Sequence, residues 1–212
     1  MGPNVAAAIR LMLVTDDVLL AGRDPVALCQ AAVRGGVTSV QLRLKQASAA
    51  ELVNLARRLI GALPVPVLIN DRADAAIAAG ASGVHLGPED VPVHLIRRIA
   101  PPGFLIGASV GTPDEVENGL GADYWGVGPW SATTTKSAGP PLGPDAFRGI
   151  VRLGAGKPCI AIGGVRPEDV AAVVGADGAG VAIVSGILAA PDPEKAAREY
   201  ATGIAGLVAR DS

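Results

Sequence analysis

The chain alternates short apolar runs of the β type with alanine-rich helical stretches, and it does so eight times. Several of these runs are continuously apolar, which is typical of strands that helices cover on both faces. Eight strand–helix units of about 26 residues each come close to the minimum length of a parallel crossover. The pattern predicts strands at Leu11–Val14, Ser39–Leu42, Val67–Ile69, Gly83–Leu86, Leu105–Ala108, Tyr124–Val127, Cys159–Ile162 and Gly180–Val184.

The number of units favours a closed barrel. Eight strand–helix units close naturally into an α/β fold of the (β/α)8 TIM barrel type, and 212 residues lie at the compact end of that fold. No linker or low-complexity segment marks a boundary, so we expect a single barrel domain over residues 1–212. An open doubly wound sheet needs no particular number of strands and is the alternative.

Helix starts are marked by capping residues. Asp24-Pro25 and Asp192-Pro193 each place an acidic N-cap before a proline at the first helical position. Ser48-x-x-Glu51 and Thr112-x-x-Glu115 have the spacing of a capping box. We therefore expect a helix to begin at each of these four places.

Composition and charge exclude several classes of protein. With 50% hydrophobic and 18% charged residues the chain is not disordered. A net charge of −2 argues against a general nucleic-acid surface. The apolar stretch Ile9–Leu20 is interrupted by charges and lacks the features of a membrane span or a signal peptide. Cys29 and Cys159 are expected to be buried free thiols, which suits a cytoplasmic protein. The oligomeric state stays open.

Polar residues and glycines follow seven of the eight predicted strands. The carboxyl ends of barrel strands meet at one face, where the active sites of such barrels lie. We therefore expect a functional site built from these segments, which are Gln41–Lys45, Asn70–Arg72, Gly87–Asp90, Ser109, Gly128–Lys136, Gly163–Gly164 and Ser185–Gly186.

The charged residues among them indicate a metal-bound diphosphate. Lysine is rare in this chain, yet Lys45 and Lys136 both lie in these segments, near Arg43. Asp71 and Asp90 follow adjacent strands, where two carboxylates can share a magnesium ion with phosphate oxygens. Helix capping or a bridge to a neighbouring arginine is the alternative role for the two acids. The alternative for the cations is a solvated strand end.

A second anion site is expected at the last two strands. Gly163-Gly164 lets main-chain N–H groups approach an anion, and Val184-Ser185 can donate from the next turn. Phosphate binding by the loops after these two strands recurs in barrels. Plain turn glycines are the alternative.

Two further residues near strand ends have ordinary explanations. His85 could reach the site, but a hydrogen-bonded core histidine is the simpler interpretation. Tyr124 is expected to serve mainly in packing. With no cluster of Cys and His residues, the sequence does not favour zinc.

Seven motifs occur in a fixed order along nearly the whole chain, from about Leu11 to Pro193. They are Gln-x-Arg-x-Lys (41–45), Asn-Asp (70–71), Val-His-Leu-Gly-x-x-Asp (84–90), Gly-x-Ser (107–109), Ala-Asp-Tyr-x-Gly-x-Gly-Pro (122–129) with Thr-x-Thr-Lys (133–136), Ala-Ile-Gly-Gly-Val (161–165) and Val-Ser (184–185). Each motif is weak alone, but the ordered set closely resembles the thiamine phosphate synthase family.

This resemblance implies an enzyme that joins 4-amino-2-methyl-5-hydroxymethylpyrimidine diphosphate to a thiazole phosphate. It implies Mg²⁺ as the cofactor, with Asp71 and Asp90 as its ligands. The implied pyrimidine diphosphate residues are Gln41, Leu42, Arg43, Leu44, Lys45, Asn70, Ser109 and Lys136, of which Arg43, Lys45, Ser109 and Lys136 are the implied catalytic residues. The implied thiazole phosphate residues are Thr133, Thr134, Thr135, Gly164, Val184 and Ser185.

The chain also departs from the family pattern. Leu44 stands where the family often has an acid, and Gly111 stands where it often has histidine. Trp130 and Ala132 replace an aliphatic residue and a proline in the substrate loop. A related thiazole tautomerase, which binds only the thiazole, and a non-catalytic phosphate-ligand-binding barrel are the alternative functions.

Overall fold

The computed structural model describes residues 4–132 and 139–208, and side chains as far as residue 204. Eight parallel strands in this part of the chain form a closed barrel in sequence order, with β8 pairing back to β1. The strands are β1 (Leu11–Val14), β2 (Ser39–Leu42), β3 (Val67–Asn70), β4 (Gly83–Leu86), β5 (Leu105–Ser109), β6 (Tyr124–Val127), β7 (Cys159–Ile162) and β8 (Gly180–Ile183).

The closed barrel confirms the predicted (β/α)8 fold and excludes the open sheet. Three strand ends differ from the prediction by one residue. Asn70 pairs with His85 and Ser109 with Gly126, so these two polar residues belong to their strands. β8 stops one residue before Val184, whose φ of −107° and ψ of −92° leave the extended region.

Helices connect the strands and surround the barrel. They are α1 (Val5–Ala8), α2 (Asp17–Leu20), α3 (Pro25–Arg34), α4 (Ala49–Ala62), α5 (Ala73–Ala79), α6 (Val93–Ile99), α7 (Gly143–Leu153), α8 (Val170–Gly175), α9 (Ser185–Leu188) and α10 (Pro193–Val208). Two 3-10 helices lie at Pro113–Gly119 and Pro167–Asp169. None of the helices in the described ranges is both long and apolar enough to cross a membrane.

Three of the four predicted helix starts are confirmed. The Asp24 carboxylate accepts a hydrogen bond from the main-chain N–H of Val26 at the start of α3. Ser48 and its partner Glu51 form a complete capping box at the start of α4. Asp192 accepts from a main-chain N–H in the first turn of α10, at 2.9 Å.

The fourth predicted start, at Thr112, was wrong as a capping box. The Thr112 side chain caps nothing, and a 3-10 helix follows instead of an α-helix. The Glu115 carboxylate accepts a 2.6 Å hydrogen bond from the main-chain N–H of Gly111. Because this carboxylate is held one residue before the expected cap, the box does not close.

The core has two layers separated by the strands. Residues that point outward from the barrel pack against the helices, and both cysteines are buried free thiols, as predicted. Burial raises the pKa of the Cys29 thiol to about 12 and that of Cys159 to about 11, so neither is a reactive thiolate. The inner layer fills the barrel below the site and includes Met12, Leu68 and Tyr124.

Candidate active site

A cavity of about 440 Å³ opens at the carboxyl ends of the strands. Strand residues from opposite sides of the barrel converge on it, because every β strand of the ring points its carboxyl end to this face. Among the residues that line it are seven of the predicted site residues, namely Gln41, Arg43, Asn70, Ser109, Gly164, Val184 and Ser185.

Lys45, Asp71 and Asp90 form a cluster of charges at the ends of β2, β3 and β4. Lys45 Nζ lies 3.2 Å from Asp71 Oδ2. Asp71 adopts a left-handed φ of 63° directly after β3, and this turn places its carboxylate beside that of Asp90. Asp90 also accepts a 2.6 Å hydrogen bond from the main-chain N–H of Gly87.

The electrostatics of this cluster favour a bound cation. Burial raises the pKa of Asp90, and the bond from Gly87 and the charge of Lys45 lower it. The negative charge of Asp71 and a hydrogen bond between the two carboxyl groups raise that pKa further. Two carboxylates held this close repel each other when both are ionised, and a divalent cation would relieve that repulsion.

The donor set fits magnesium. No group of three or more His, Cys, Asp or Glu residues within the described ranges is placed to hold a metal ion. The adjacent carboxylates of Asp71 and Asp90 could supply two oxygen ligands, and phosphate oxygens and water would have to supply the others that Mg²⁺ prefers. The alternative roles are not observed: Arg72 pairs with Asp74, and neither acid caps α5 or α6.

Arg43 is held at the cavity by the loop that follows β1. Its Nη1 lies 3.2 Å from Asp16 Oδ2, and both side chains are largely buried. Thr15 Oγ1 accepts from the Arg43 main-chain N–H at 2.8 Å. Asp17 Oδ2 accepts from the main-chain N–H of Lys45 at 2.7 Å. These three residues orient the segment that carries both cations.

Sequence reasoning missed Thr15, Asp16 and Asp17, although the signal was present. They follow the first strand directly, as the other site segments follow theirs. The first strand is therefore no exception to the pattern.

Two predicted substrate residues point away from the cavity. Leu42 is fully buried between the barrel and the helices, because alternate residues of β2 face opposite sides and Gln41 faces inward. Leu44 packs against the same outer core. A contact of either residue with a substrate would therefore come from the main chain.

The opposite side of the cavity presents main-chain groups rather than charged side chains. Gly163 and Gly164 have left-handed φ values of 87° and 70°. A Cβ atom on Gly164 would lie 2.8 Å from the carbonyl oxygen of Ala132, so the loop after β6 packs directly on this glycine. Ser185 begins α9 beside them.

The departures from the family pattern have separate structural settings. Trp130 is buried against Phe147 in an edge-to-face contact, with ring centroids 5.5 Å apart, and it does not line the cavity. Ala132 is exposed. Gly111 lines the cavity, and a Cβ atom there would lie 2.8 Å from the carbonyl oxygen of Gly128. The predicted residues Thr133, Thr134, Thr135 and Lys136 lie outside the described residues.

The floor of the cavity contains a buried polar group. His85 is a hydrogen-bonded core histidine, as predicted, and it also lines the cavity. Its Nδ1 lies 3.0 Å from the Tyr124 hydroxyl, and its Nε2 lies 3.1 Å from Ser109 Oγ. Tyr124 therefore makes a polar contact as well as packing in the core.

Fold and site together are typical of barrel enzymes that bind phosphorylated small molecules. Comparison with known proteins gives the family. A sequence model described as thiamine monophosphate synthase matches residues 11–187. The chain belongs to this family.

Individual relatives agree over most of their length. The chain is 46% identical over 196 residues to the thiamine-phosphate synthase of Xanthobacter autotrophicus, covering 90% of this chain and 92% of that one. It is 44% identical over 200 residues to that of Azorhizobium caulinodans, covering 92% and 94%. Among solved structures, a thiamine phosphate pyrophosphorylase from Pyrococcus furiosus matches with a TM-score of 0.84 and 30% identity, covering 97% of this chain and 100% of that one.

Proposed function

We propose that this protein is a thiamine phosphate synthase, a transferase. It joins 4-amino-2-methyl-5-hydroxymethylpyrimidine diphosphate to a thiazole phosphate and releases diphosphate. One observation carries the proposal: Arg43 lines a 440 Å³ cavity at the carboxyl ends of the strands, and Lys45, Asp71 and Asp90 cluster at the ends of β2, β3 and β4 on the same face of the barrel. Cations beside paired carboxylates suit a metal-bound diphosphate, and membership of the family supports the reaction.

The charged side of the cavity holds the pyrimidine diphosphate. Arg43 and Lys45 contact the diphosphate, Asn70 and Ser109 contact the substrate from the ends of β3 and β5, and Gln41 faces the pyrimidine from below. Leu42 and Leu44 contribute main-chain groups. Lys136 belongs to the same set by the family motif. The residues that act during bond breaking are Arg43, Lys45, Ser109 and Lys136.

Asp71 and Asp90 would hold the magnesium ion. When bound, this ion would stabilise the negative charge of the diphosphate leaving group. Lys45 sits beside Asp71 and stabilises the same group, and Arg43 is oriented toward it by Asp16. Charge on the diphosphate grows as it leaves, so cations that are already in place lower the barrier.

The reaction needs no base from the protein. The bond between the pyrimidine methylene carbon and the diphosphate oxygen breaks, and its electron pair goes to that oxygen. The methylene carbon bears positive charge in conjugation with the ring. The thiazole nitrogen then donates its lone pair to this carbon, and no proton changes place. The role of the protein is to position the two substrates and to stabilise charge.

The main-chain side of the cavity holds the thiazole phosphate. The N–H groups near Gly164, Val184 and Ser185 face an anion without bringing a charge of their own. Thr133, Thr134 and Thr135 complete this half by the family motif. The two anions are thus bound by different means on opposite sides of one cavity.

The remaining expectations form part of the same proposal. The 212 residues make one barrel domain, which works in the cytoplasm on small molecules and not on nucleic acid. Buried free thiols and the small net charge of −2 support this proposal.

Release of diphosphate tests the proposal. The protein is incubated with both substrates and Mg²⁺, and diphosphate and thiamine phosphate are measured together. Each substrate alone is the control. We expect equal amounts of both products, and only when both substrates are present. Isomerised thiazole without diphosphate would instead identify a tautomerase, and binding without turnover would identify a ligand-binding barrel.

A further inference from the structure

Glu115 lies in the wall of the cavity, and no step of the proposed reaction uses it. It is half-buried on the 3-10 helix Pro113–Gly119, which follows β5. Among the described residues that line the cavity, it is the one that carries a carboxyl group. Arg43, a lining residue of opposite charge, pairs with Asp16 instead. Within the described ranges Glu115 makes no ion pair.

The Glu115 carboxylate is fixed by the loop that carries it. Its Oε2 accepts a 2.6 Å hydrogen bond from the main-chain N–H of Gly111, and the Glu115 N–H donates to the carbonyl oxygen of Thr112 at 3.1 Å. A Cβ atom on Gly111 would lie 3.4 Å from Glu115 Oε2 and 2.8 Å from the carbonyl oxygen of Gly128, just after β6. The carboxylate therefore lies beside residue 111, where the ends of β5 and β6 meet.

The order of the strands places Glu115 between the two proposed anion sites. The barrel is closed in sequence order, so β5 and β6 separate β2–β4, the proposed diphosphate side, from β7 and β8, the proposed thiazole phosphate side. The carbon and nitrogen that react connect these two anions, so they lie in the part of the cavity between them. On the other side of the ring, β1 has the corresponding place, and the acid that follows it, Asp16, is already paired.

A carboxylate at this place is unfavourable for the two substrates and favourable for what forms from them. Both substrates are anionic through their phosphates, and a negative wall repels them. A neutral glutamine could accept the hydrogen bond from Gly111 as well as a glutamate does. The charge of Glu115 therefore indicates that a positive charge arises in the ligand.

The proposed reaction produces such a charge. When the carbon–oxygen bond breaks, its electron pair leaves with the diphosphate and the methylene carbon becomes positive. When the thiazole nitrogen donates its lone pair to that carbon, the charge passes to a quaternary ring nitrogen. The product is a thiazolium cation, and no proton moves in either step.

We propose that Glu115 is the counter-ion of this thiazolium ring and of the positive charge that precedes it on the methylene carbon. The inference deepens the proposed function, on which the identity of the cation rests. A negative charge that is fixed before the reaction stabilises a positive charge as it develops. The half-buried wall of a cavity also screens this attraction less than bulk water does.

Binding of the product is the first test, because it separates charge from shape and needs no turnover. Thiamine phosphate carries the thiazolium charge, and its thiophene analogue, with carbon in place of the quaternary nitrogen, has a similar shape without it. Calorimetric titration should show that the wild type binds thiamine phosphate about tenfold more tightly than the analogue. Glu115→Gln should lose this preference by binding thiamine phosphate alone more weakly. Glu117→Gln is the matched control, since Glu117 is exposed on the same 3-10 helix and does not line the cavity.

The rate of bond formation is the second test. Glu115→Gln should lower the single-turnover rate about tenfold, or ~1.4 kcal/mol. The KM for thiazole phosphate should stay unchanged or fall, because the variant removes a repulsive charge. Glu115→Ala should lose the same charge preference and should also have a lower Tm, because it cannot accept the hydrogen bond from Gly111.

The possible outcomes separate this inference from the proposed function. Equal binding of the two ligands by the wild type, or equal weakening of both in Glu115→Gln, would reduce Glu115 to a residue that holds its loop. Loss of pyrimidine diphosphate binding in Glu115→Gln would assign the carboxylate to a cation of the protein instead. If the charge preference is found but diphosphate is not released from the substrates, the proposed function fails while the counter-ion stands. The near-ultraviolet circular dichroism of each variant verifies that the barrel is folded.

Discussion

Two regions near the cavity stabilise their polar groups differently. The first, here called the rim, consists of the charged residues Arg43, Lys45, Asp71 and Asp90 at the strand ends, and the second is the buried floor with Tyr124 and His85. The rim neutralises charge with charge: Lys45 lies against Asp71, and Arg43 lies against Asp16, with part of each group in water. The floor buries Tyr124 and His85 completely or nearly so, and a 3.0 Å contact joins the Tyr124 hydroxyl to His85 Nδ1.

This difference separates ligand binding from folding stability. The partly exposed ion pair of Lys45 and Asp71 adds little to folding stability, so these two residues are free to serve a ligand. Buried hydrogen bonds are costly to leave unmade, so floor residues have one arrangement. We therefore expect rim substitutions to change affinity and rate, and floor substitutions to change stability.

The largest expected effect is at the paired carboxylates of the rim. Asp71→Asn or Asp90→Asn should lower turnover at least ~10²-fold, corresponding to ~2.7 kcal/mol of barrier. The reason is that either change removes a proposed magnesium ligand. Initial rates of diphosphate release measure the effect, and thermal unfolding should show an intact fold.

Asp74→Asn is the matched control for Asp71→Asn. Asp74 lies three residues further along, is exposed, and pairs with Arg72 outside the cavity. Its rate should stay within about a factor of two of the wild type, well below 1 kcal/mol. Unchanged rates in both rim variants, or full activity in a chelator, would contradict the metal assignment.

Substitutions in the floor should instead change the free energy of unfolding. Gly107→Ala places a methyl group 2.2 Å from the ring of Tyr124, so the variant should lose ~2 kcal/mol of unfolding free energy through overpacking. Urea denaturation measures this loss. The control is Gly61→Ala in α4, where the added methyl group would meet no atom within 4 Å beyond its chain neighbours and the nearby helix backbone, and where alanine should stabilise by ~0.5–1 kcal/mol. Equal stabilities for the two variants would show that the floor is not tightly packed.

The two anion sites can be separated at the main-chain side of the cavity. Ser185→Asp adds a negative charge beside the proposed thiazole phosphate and should weaken its binding about tenfold, or ~1.4 kcal/mol. Ser185→Asn, of similar shape without the charge, is the control. Calorimetric titration should show pyrimidine diphosphate binding nearly unchanged. Equal weakening of both ligands would refute the division of the cavity.

The rim could be predicted from the sequence because its rule is local. Polar residues directly after a strand lie at the carboxyl face of a barrel, and Arg43, Lys45, Asp71 and Asp90 all follow that rule. The floor could not be predicted in the same way. His85 and Tyr124 are 39 residues apart, and only the register of the strands brings their rings together.

The ends of strands and the direction of side chains could not be predicted from neighbouring residues in the sequence either. Ser109 belongs to β5 because it pairs with Gly126 across the sheet, which periodicity alone does not reveal. Leu42 follows an inward residue and must face outward, so a motif that spans both residues does not reveal which of them can present its side chain to the cavity. Local rules therefore locate a segment, and the register of the barrel decides which of its atoms face the cavity.

The smallest expected effect lies at the ion pair of Arg43 with Asp16, the acid that the sequence analysis missed. Asp16 both caps α2 and holds Arg43, and asparagine can replace the cap but not the charge. Asp16→Asn should therefore raise the KM for pyrimidine diphosphate about fivefold, or ~1 kcal/mol, with kcat little changed. Asp24→Asn is the matched control, since Asp24 also caps a helix and its partner, Arg58, is exposed at 3.8 Å. That control should leave KM unchanged, because an exposed pair that does not line the cavity orients no ligand. If both variants shift KM equally, the loop after β1 does not orient Arg43 for the diphosphate, and the rim binds by net charge alone.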